Sequence, residues 1–259
     1  MLVYKYVHPD RVDILENGTI RFTQPYALND PFDSNPNYNL FRESVRKRTQ
    51  ALLNDQGKHL SAFHYATAQF FILDQSKHYL EEMKRKLNDD FAILSLTQNK
   101  NNLLMWSHYA DSHRGFVLGF DSDHHFFSKE PPRVMTPLTE VKYSDQRPIV
   151  PVFEEATSQD VANILFFTKS KHWEYEEEKR MLAKPTAATN KVEVKGSFDI
   201  YLYKFPPEIL KEVIFGCLMS LELKKRIAAI TKNKFKDVLL NEAQLNDKEF
   251  DLKITSYHH

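Results

Sequence analysis

Short apolar segments recur along this chain without a long helix between each successive pair, and this spacing constrains the fold more than any other feature. Side chains alternate faces along a strand but return to the same face every three to four residues along a helix, so the two patterns separate. Alternating or continuous apolar runs mark strands near residues 2–6, 19–23, 91–97, 115–121, 134–143, 181–184 and 192–205, with closing strands near 237–240 and 250–254. Helical spacing marks residues 9–16, 102–110, 158–167 and 221–230, the first opening on Pro9 and stopping at Asn17-Gly18. A doubly wound parallel sheet needs a crossover helix for each strand. The pattern therefore predicts an α+β fold with a twisted mixed or mostly antiparallel sheet.

The chain has 259 residues, only six glycines and no internal repeat, which predicts one domain over residues 1–259. Residues 40–87 contain no proline and show helical spacing at Phe63, Ala66, Phe70 and Leu73 and again at Tyr79, Leu80, Met83 and Leu87, predicting a helical insertion. Arg42, Arg46, Lys47 and Arg48 near its start read as a solvated helix face. Thirty-five basic residues balance thirty-five acidic ones, so there is no global field for sequence-independent binding of nucleic acid. The single cysteine, Cys217, excludes an internal disulfide and a multi-cysteine zinc site, and its apolar setting reads as a buried structural thiol. The first residues lack the apolar core of a signal peptide, and no apolar run has transmembrane length. The expectation is a cytoplasmic protein with no membrane partner.

The densest chemistry lies in His172-Trp173-Glu174-Tyr175-Glu176-Glu177-Glu178-Lys179-Arg180. On a strand, Glu174, Glu176, Glu178 and Arg180 would share a face, and carboxylates that close together repel unless a cation, metal or polar ligand compensates them. On a helix the same charges would spread around a solvated surface. Three other clusters accompany this run: Tyr4-Lys5-Tyr6 with Arg21; the loop Asn29-Asp30-Pro31-Phe32-Asp33; and Met105-Trp106-Ser107-His108-Tyr109-Ala110 leading to Gly115 and Asp121. The loop carries its own structural explanation, an Asx-turn with Pro31 fixing φ and Phe32 as anchor. His108 and His113, five apart, and the adjacent His124 and His125 lack the i, i+4 spacing of paired zinc ligands.

These clusters resemble the bacterial family known as domain of unknown function 2971. The opening Tyr-Lys-Tyr, Asn-Asp-Pro-Phe-Asp, Met-Trp-x-x-Tyr-Ala before Gly-Phe-x-x-x-Phe-Asp, and Trp-x-Tyr-Glu-x-Glu-x-Arg carry the resemblance over nearly the whole chain. Lys179 stands where the family usually has an aromatic or apolar residue.

A second resemblance is architectural. In ADP-ribosyltransferases and RNA 2′-phosphotransferases a first strand with an aromatic-polar pair precedes a short helix, a glycine and a strand. A middle strand then holds a hydroxyl residue, and a late strand holds a catalytic Glu in an E-x-E pattern. The resemblance implies an enzyme that consumes NAD and modifies a nucleic-acid or protein acceptor. Glu178 and Glu176 would be catalytic, and Tyr4, Tyr6, Arg21, Asn29, Asp30, Trp106, Tyr109 and Arg180 would line the NAD site. Tyr4-Lys5-Tyr6 fills the slot where a His or Arg is usual, and Ser95 and Ser107 both remain candidates for the middle hydroxyl. Cleavage of the nicotinamide–ribose bond develops positive charge that a carboxylate stabilises, and Arg21 or Arg180 would pair with pyrophosphate oxygens. Two other readings stay open: a ligand-sensing or interaction domain without catalysis, and a Mg²⁺-dependent nuclease using Glu177-Glu178-Lys179 with Asp121.

Overall fold

The alternation at the start of the chain forms strand β1 (Leu2–Val7), which sends Tyr4 and Tyr6 to one hydrophobic cluster and Val3 and Val7 to another. Each face of this strand is therefore covered, and the rest of the fold is arranged around it. The computed structural model describes residues 1–37, 43, 47, 51, 78, 81–82, 84–128, 135–149 and 158–258. They divide into two units: residues 1–23, 92–141 and 172–259, and residues 24–91 and 142–171.

In the first unit β1 pairs antiparallel along its whole length with β4 (Phe116–Asp121), from Leu2 opposite Asp121 to Val7 opposite Phe116. Beyond β4 lies β11 (Leu210–Phe215), antiparallel to it. Helix α4 (Leu221–Lys234), capped by the Ser220 hydroxyl, follows β11 and leads to β12 (Leu239–Leu245), which runs parallel to β11. β13 (Leu252–Ser256) closes that side. On its other side β1 meets β3 (Ala92–Thr97), which pairs with β8 (Glu178–Ala183), and β8 with the short β5 (Thr139–Glu140). The result is an eight-stranded mixed sheet, antiparallel except at β11–β12. A three-stranded sheet of β2 (Thr19–Phe22), β10 (Ile200–Lys204) and β9 (Asn190–Val192) accompanies it.

Two apolar layers hold this unit together. Ile20, Phe22, Tyr203 and Phe205 share one cluster with Val3, Val7, Leu94, Leu118, Phe120 and Met181. On the other face, helix α2 (Leu103–Tyr109) buries Met105 and Trp106 with Tyr4, Tyr6, Val117 and Ile214. Burying each large side chain of this kind stabilises the fold by roughly 1.5–3 kcal/mol. Helix α1 (Asp13–Asn17) ends as its sequence requires, with Gly18 left-handed at φ 63°.

The second unit contains α3 (Ser158–Phe166) and the parallel pair β6 (Lys142–Ser144) and β7 (Thr168–Ser170). Residues 84–90 are helical, and Phe91 meets Phe166 at 4.8 Å between ring centroids. Most of the expected helical insertion lies outside the described residues. No helix among the described residues is long and apolar enough to cross a membrane.

The α+β class and mixed sheet expected from the sequence are the ones observed. Individual boundaries differ for local reasons. The single strand read over residues 134–143 is two short ones, because the chain changes pairing partner at Val141, from β8 to β7. The strand read from Asp237 starts at Leu239, since Asp237 is left-handed at φ 57° and cannot extend.

Gly115 sits where the α2–β4 turn meets β1: a Cβ there would lie 2.1 Å from the Val7 carbonyl oxygen. Gly115→Ala is expected to lower stability by about 3 kcal/mol, read as a shift in the urea midpoint at constant m-value.

Candidate functional site

Cross-strand register places a polar row across the centre of the large sheet. Glu212, Gly119, Tyr4, Thr97 and Glu178 are successive partners on β11, β4, β1, β3 and β8. Adjacent strands are spaced so that the row extends about 19 Å. A buried glutamate stands at each end, and each is matched by a cation. Arg180 lies two residues beyond Glu178 on β8 and therefore on the same face. Its Nε donates to Glu178 Oε1 at 2.7 Å and its Nη2 to Oε2 at 3.0 Å, with both side chains buried. At the other end Lys100 Nζ donates to both oxygens of Glu212, at 3.0 and 3.2 Å, and Asn241 Nδ2 adds a 2.6 Å bond.

Gly119 makes room in the middle of the row. A Cβ there would meet Tyr4 Cε1 and Glu212 Cβ, each at 3.0 Å. Lys100 Nζ also lies 5.6 Å from the centre of the Tyr4 ring. Burial, with Glu212 acting in the same direction, raises the Tyr4 hydroxyl above its ordinary pKa.

The acidic run does not enter the sheet as one strand. Lys171–Glu176 forms a 3-10 turn, Glu177 is left-handed at φ 43°, and extended backbone begins only at Glu178. Of the face expected for Glu174, Glu176, Glu178 and Arg180, only Glu178 and Arg180 share the strand. Glu174 is exposed, whereas Glu176 is buried and accepts a 2.5 Å bond from the Tyr109 hydroxyl on α2. The left-handed residue resets the alternation and gives each buried carboxylate its own partner.

The loop between β3 and α2 holds this segment, through side chains whose roles the sequence reading missed. Asn99 Nδ2 donates to Glu177 Oε1 at 3.2 Å, and Asn102 Nδ2 donates to the Tyr175 carbonyl at 3.0 Å. The Tyr6 hydroxyl donates to the Asn99 carbonyl at 3.1 Å and accepts from the Asn102 amide at 3.2 Å. Burial raises the Tyr6 pKa above its ordinary value. Trp106 is fully buried, edge-on to Tyr6 at 5.3 Å, with its Nε1 donating to the Lys100 carbonyl. Ser95 lies on β3 opposite Arg180, whereas Ser107 is exposed on α2.

Lys5, between the two tyrosines, is half-buried, and its amine donates to the Ser95 carbonyl at 3.1 Å. Its pKa is pushed down to about 8, by burial first and then by the positive charges of Arg11 and Arg21; Glu178 acts in the opposite direction. Arg11 is paired with Asp13 at 2.8 Å. Arg21 is half-buried and its Nε has no hydrogen-bond partner among the described residues.

The loop residues Asn29 and Asp30 belong to the second unit. There Asp30 Oδ1 accepts from the Phe32 amide at 2.9 Å, the Asx-turn expected of it, and Arg147 lies over the Phe32 ring at 5.5 Å. Among the described residues no group of three or more His, Cys, Asp or Glu could hold a metal ion. Lys179 points away from Glu178 and pairs with Glu140 at 3.2 Å.

With this geometry in view, the chain is an α+β protein whose central sheet carries paired buried charges. Residues 105–181 match the model of the family described as Protein of unknown function (DUF2971), which bears out the resemblance read from the sequence. That segment runs from α2 through β4 to Arg180 and Met181. Comparison with curated proteins and with solved structures gave no match.

Lys5 is a stability liability below its folded pKa. The unfolded chain holds its proton up to the ordinary lysine range near 10.5, so the cost of a buried ammonium is fully present below about 8 and disappears as pH rises towards 10.5. Lys5→Met is expected to raise stability at pH 7 by roughly 1–3 kcal/mol. The gain should shrink across the interval above pH 8, as read from denaturation midpoints at several pH values.

Proposed function

We propose that the protein is an NAD-consuming transferase of the ADP-ribosyltransferase type, acting on a nucleic-acid or protein acceptor. The observation that supports this reading best is the strand order β1–β3–β8. It sets Tyr4-Lys5-Tyr6, the hydroxyl residues Ser95 and Thr97, and Glu178 on three adjacent strands, with Thr97 directly between Tyr4 and Glu178. This arrangement supports the resemblance, which calls for a first-strand, a middle-strand and a late-strand motif; of the two hydroxyls read as candidates, Ser95 lies on the middle strand.

In this reading the bond between nicotinamide and ribose breaks with its electron pair leaving on nicotinamide. Glu178 stabilises the positive charge left on the ribose, and Glu176, held by Tyr109, is its partner on the acceptor side. The acceptor hydroxyl, or water, forms the new bond to the ribose carbon and releases its proton to solvent. Arg180 keeps the Glu178 carboxylate oriented through two parallel bonds.

A second reading, a ligand-sensing domain without catalysis, is favoured by that same pair. Both Glu178 oxygens already accept from Arg180, so the carboxylate serves the fold even if no substrate uses it.

Incubation of the protein with NAD, followed by analysis for nicotinamide, separates the two. A transferase or glycohydrolase should release nicotinamide and lose turnover by roughly two orders of magnitude or more in Glu178→Gln, at temperatures where the variant's melting curve shows it folded. Absence of nicotinamide release with every acceptor tried, together with an NAD-dependent melting shift equal in wild type and variant, would leave the sensing domain standing in its place.

A further inference from the structure

We propose that the groove beside the C-terminal half of α4 binds a long-chain carboxylate, with its chain on an apolar floor and its head group at Lys232 and Lys236. This ligand is separate from NAD, and the site does not rest on the NAD reading.

The groove lies wholly within the first unit, between α4 and the segment that leads into β12, and has a volume of about 790 Å³. Small-molecule sites occupy roughly 300–1,000 Å³, so the groove is of that size. Its floor is Ala228, Phe235, Val238 and Leu240, which belong to the larger apolar cluster or pack against it. Phe235 stacks on Phe205 at 6.3 Å between ring centroids, which fixes this part of the floor. Thr231 also lines the groove, but its hydroxyl already donates to the Ile227 carbonyl at 2.8 Å. Methylene groups lose water on such a floor without stranding a polar group.

The rim is charged, and the charge is sorted by position. Helix α4 and the two residues after it carry six cations. Three are matched: Lys224 pairs with Glu242 at 3.0 Å, Arg226 with Glu16 at 2.7 Å, and Lys234 donates to the Glu16 carbonyl. The other three, Lys225, Lys232 and Lys236, are exposed and have no ion pair among the described residues. Lys225 and Lys232 are two helical turns apart and so share a face, with the exposed Ala229 between them. Ala229, Lys232 and Lys236 all line the groove. The unmatched cations therefore gather along it, while the matched ones are tied to other parts of the unit. The helix dipole accounts for lysines near the last turn, but not for Lys225, nine residues before the helix ends.

Charge and shape select the occupant. Asp237 also lines the groove, so the lining carries two positive charges and one negative, and one further negative charge balances it. Nucleic acid would bring several phosphates and leave the apolar floor unused. A bilayer surface would meet the rim and leave the concave floor empty. An apolar chain with a single anionic head fills both parts.

The test uses the full chain with sodium dodecanoate, below the concentration at which it forms micelles, as probe. Dodecyltrimethylammonium supplies the same chain with the opposite charge, and butanoate the same head group on a short chain. Dodecanoate is expected to raise the melting temperature and to titrate to a single site, and the other two at equal concentration to do neither. Lys232→Gln and Lys236→Gln should each weaken dodecanoate binding by roughly three- to fivefold, and the double variant by about tenfold or more. Both side chains are exposed and unpaired, so the unliganded variants should melt with the wild type. Lys248→Gln, at an exposed lysine in the β12–β13 turn, should bind dodecanoate as the wild type does. Absence of a dodecanoate titration, equal binding of dodecyltrimethylammonium, or unchanged affinity in the double variant each overturns the site. Cosedimentation with phosphatidylglycerol vesicles, without binding of free dodecanoate, overturns it as well and marks this face as a membrane contact.

Discussion

The four residues Asn99-Lys100-Asn101-Asn102 tie the centre of the first unit together. Each sends its side chain to a different part of the chain: Asn99 to Glu177, Lys100 to Glu212, Asn101 to Asp251 and the Leu252 carbonyl, and Asn102 to the Tyr175 carbonyl. The Asn102 side-chain oxygen also accepts from the amides of Leu104 and Met105 and so caps α2. A loop that must satisfy its own backbone and five distant polar groups at once has few alternative conformations. The position of α2 over Tyr6, the lead-in to β8 and the docking of β13 all follow from it.

Buried charge is distributed unevenly over this scaffold. Glu176, Glu178 and Glu212 each have a hydrogen-bonded partner, from Tyr109, Arg180 and Lys100 respectively. Such pairs contribute little net stability once desolvation is counted, but removing one member leaves an isolated buried charge. They specify register across the sheet more than they strengthen it. Lys5 and Arg21 contrast with them, since burial depresses the pKa of both and no carboxylate is bonded to either. The scaffold thus gives three buried carboxylates a bonded partner and bonds no carboxylate to Lys5 or Arg21.

The class of the fold was legible because strand period and helix period differ, and because Pro9 and Gly18 act locally as start and stop. Glu178 and Arg180 were legible as a pair for the same reason, being two apart on a strand. The burial of Glu176 was not, since it depends on the left-handed Glu177, a conformation that no local rule assigns to glutamate. Lys100, Glu212 and Asn241 were missed because their meeting depends on β11 and β12 lying beyond β4. In sequence they are an ordinary lysine in a polar loop and single polar residues within strands. The Asx-turn at Asp30 was readable because such a turn closes within three residues, but Phe32, read as the loop's anchor, is exposed.

The pairing of β1 with β3 has a mechanical meaning. On one side, β1 is laced to β4 from end to end, and β4 in turn to β11; on the other, β3 is laced to β8 from Ala92 to Thr97. Between these two ribbons the ladder is confined to Tyr4 and Thr97, with the Lys5–Ser95 bond beside it. Resistance to bending across a line in a sheet grows with the bonds that cross it, and in backbone pairing the eight strands form two ribbons joined at a narrow waist. Backbone pairing is thinnest along that line, and the side chains of Asn99, Lys100 and Asn101 supply the bonds that bridge the two ribbons beyond it.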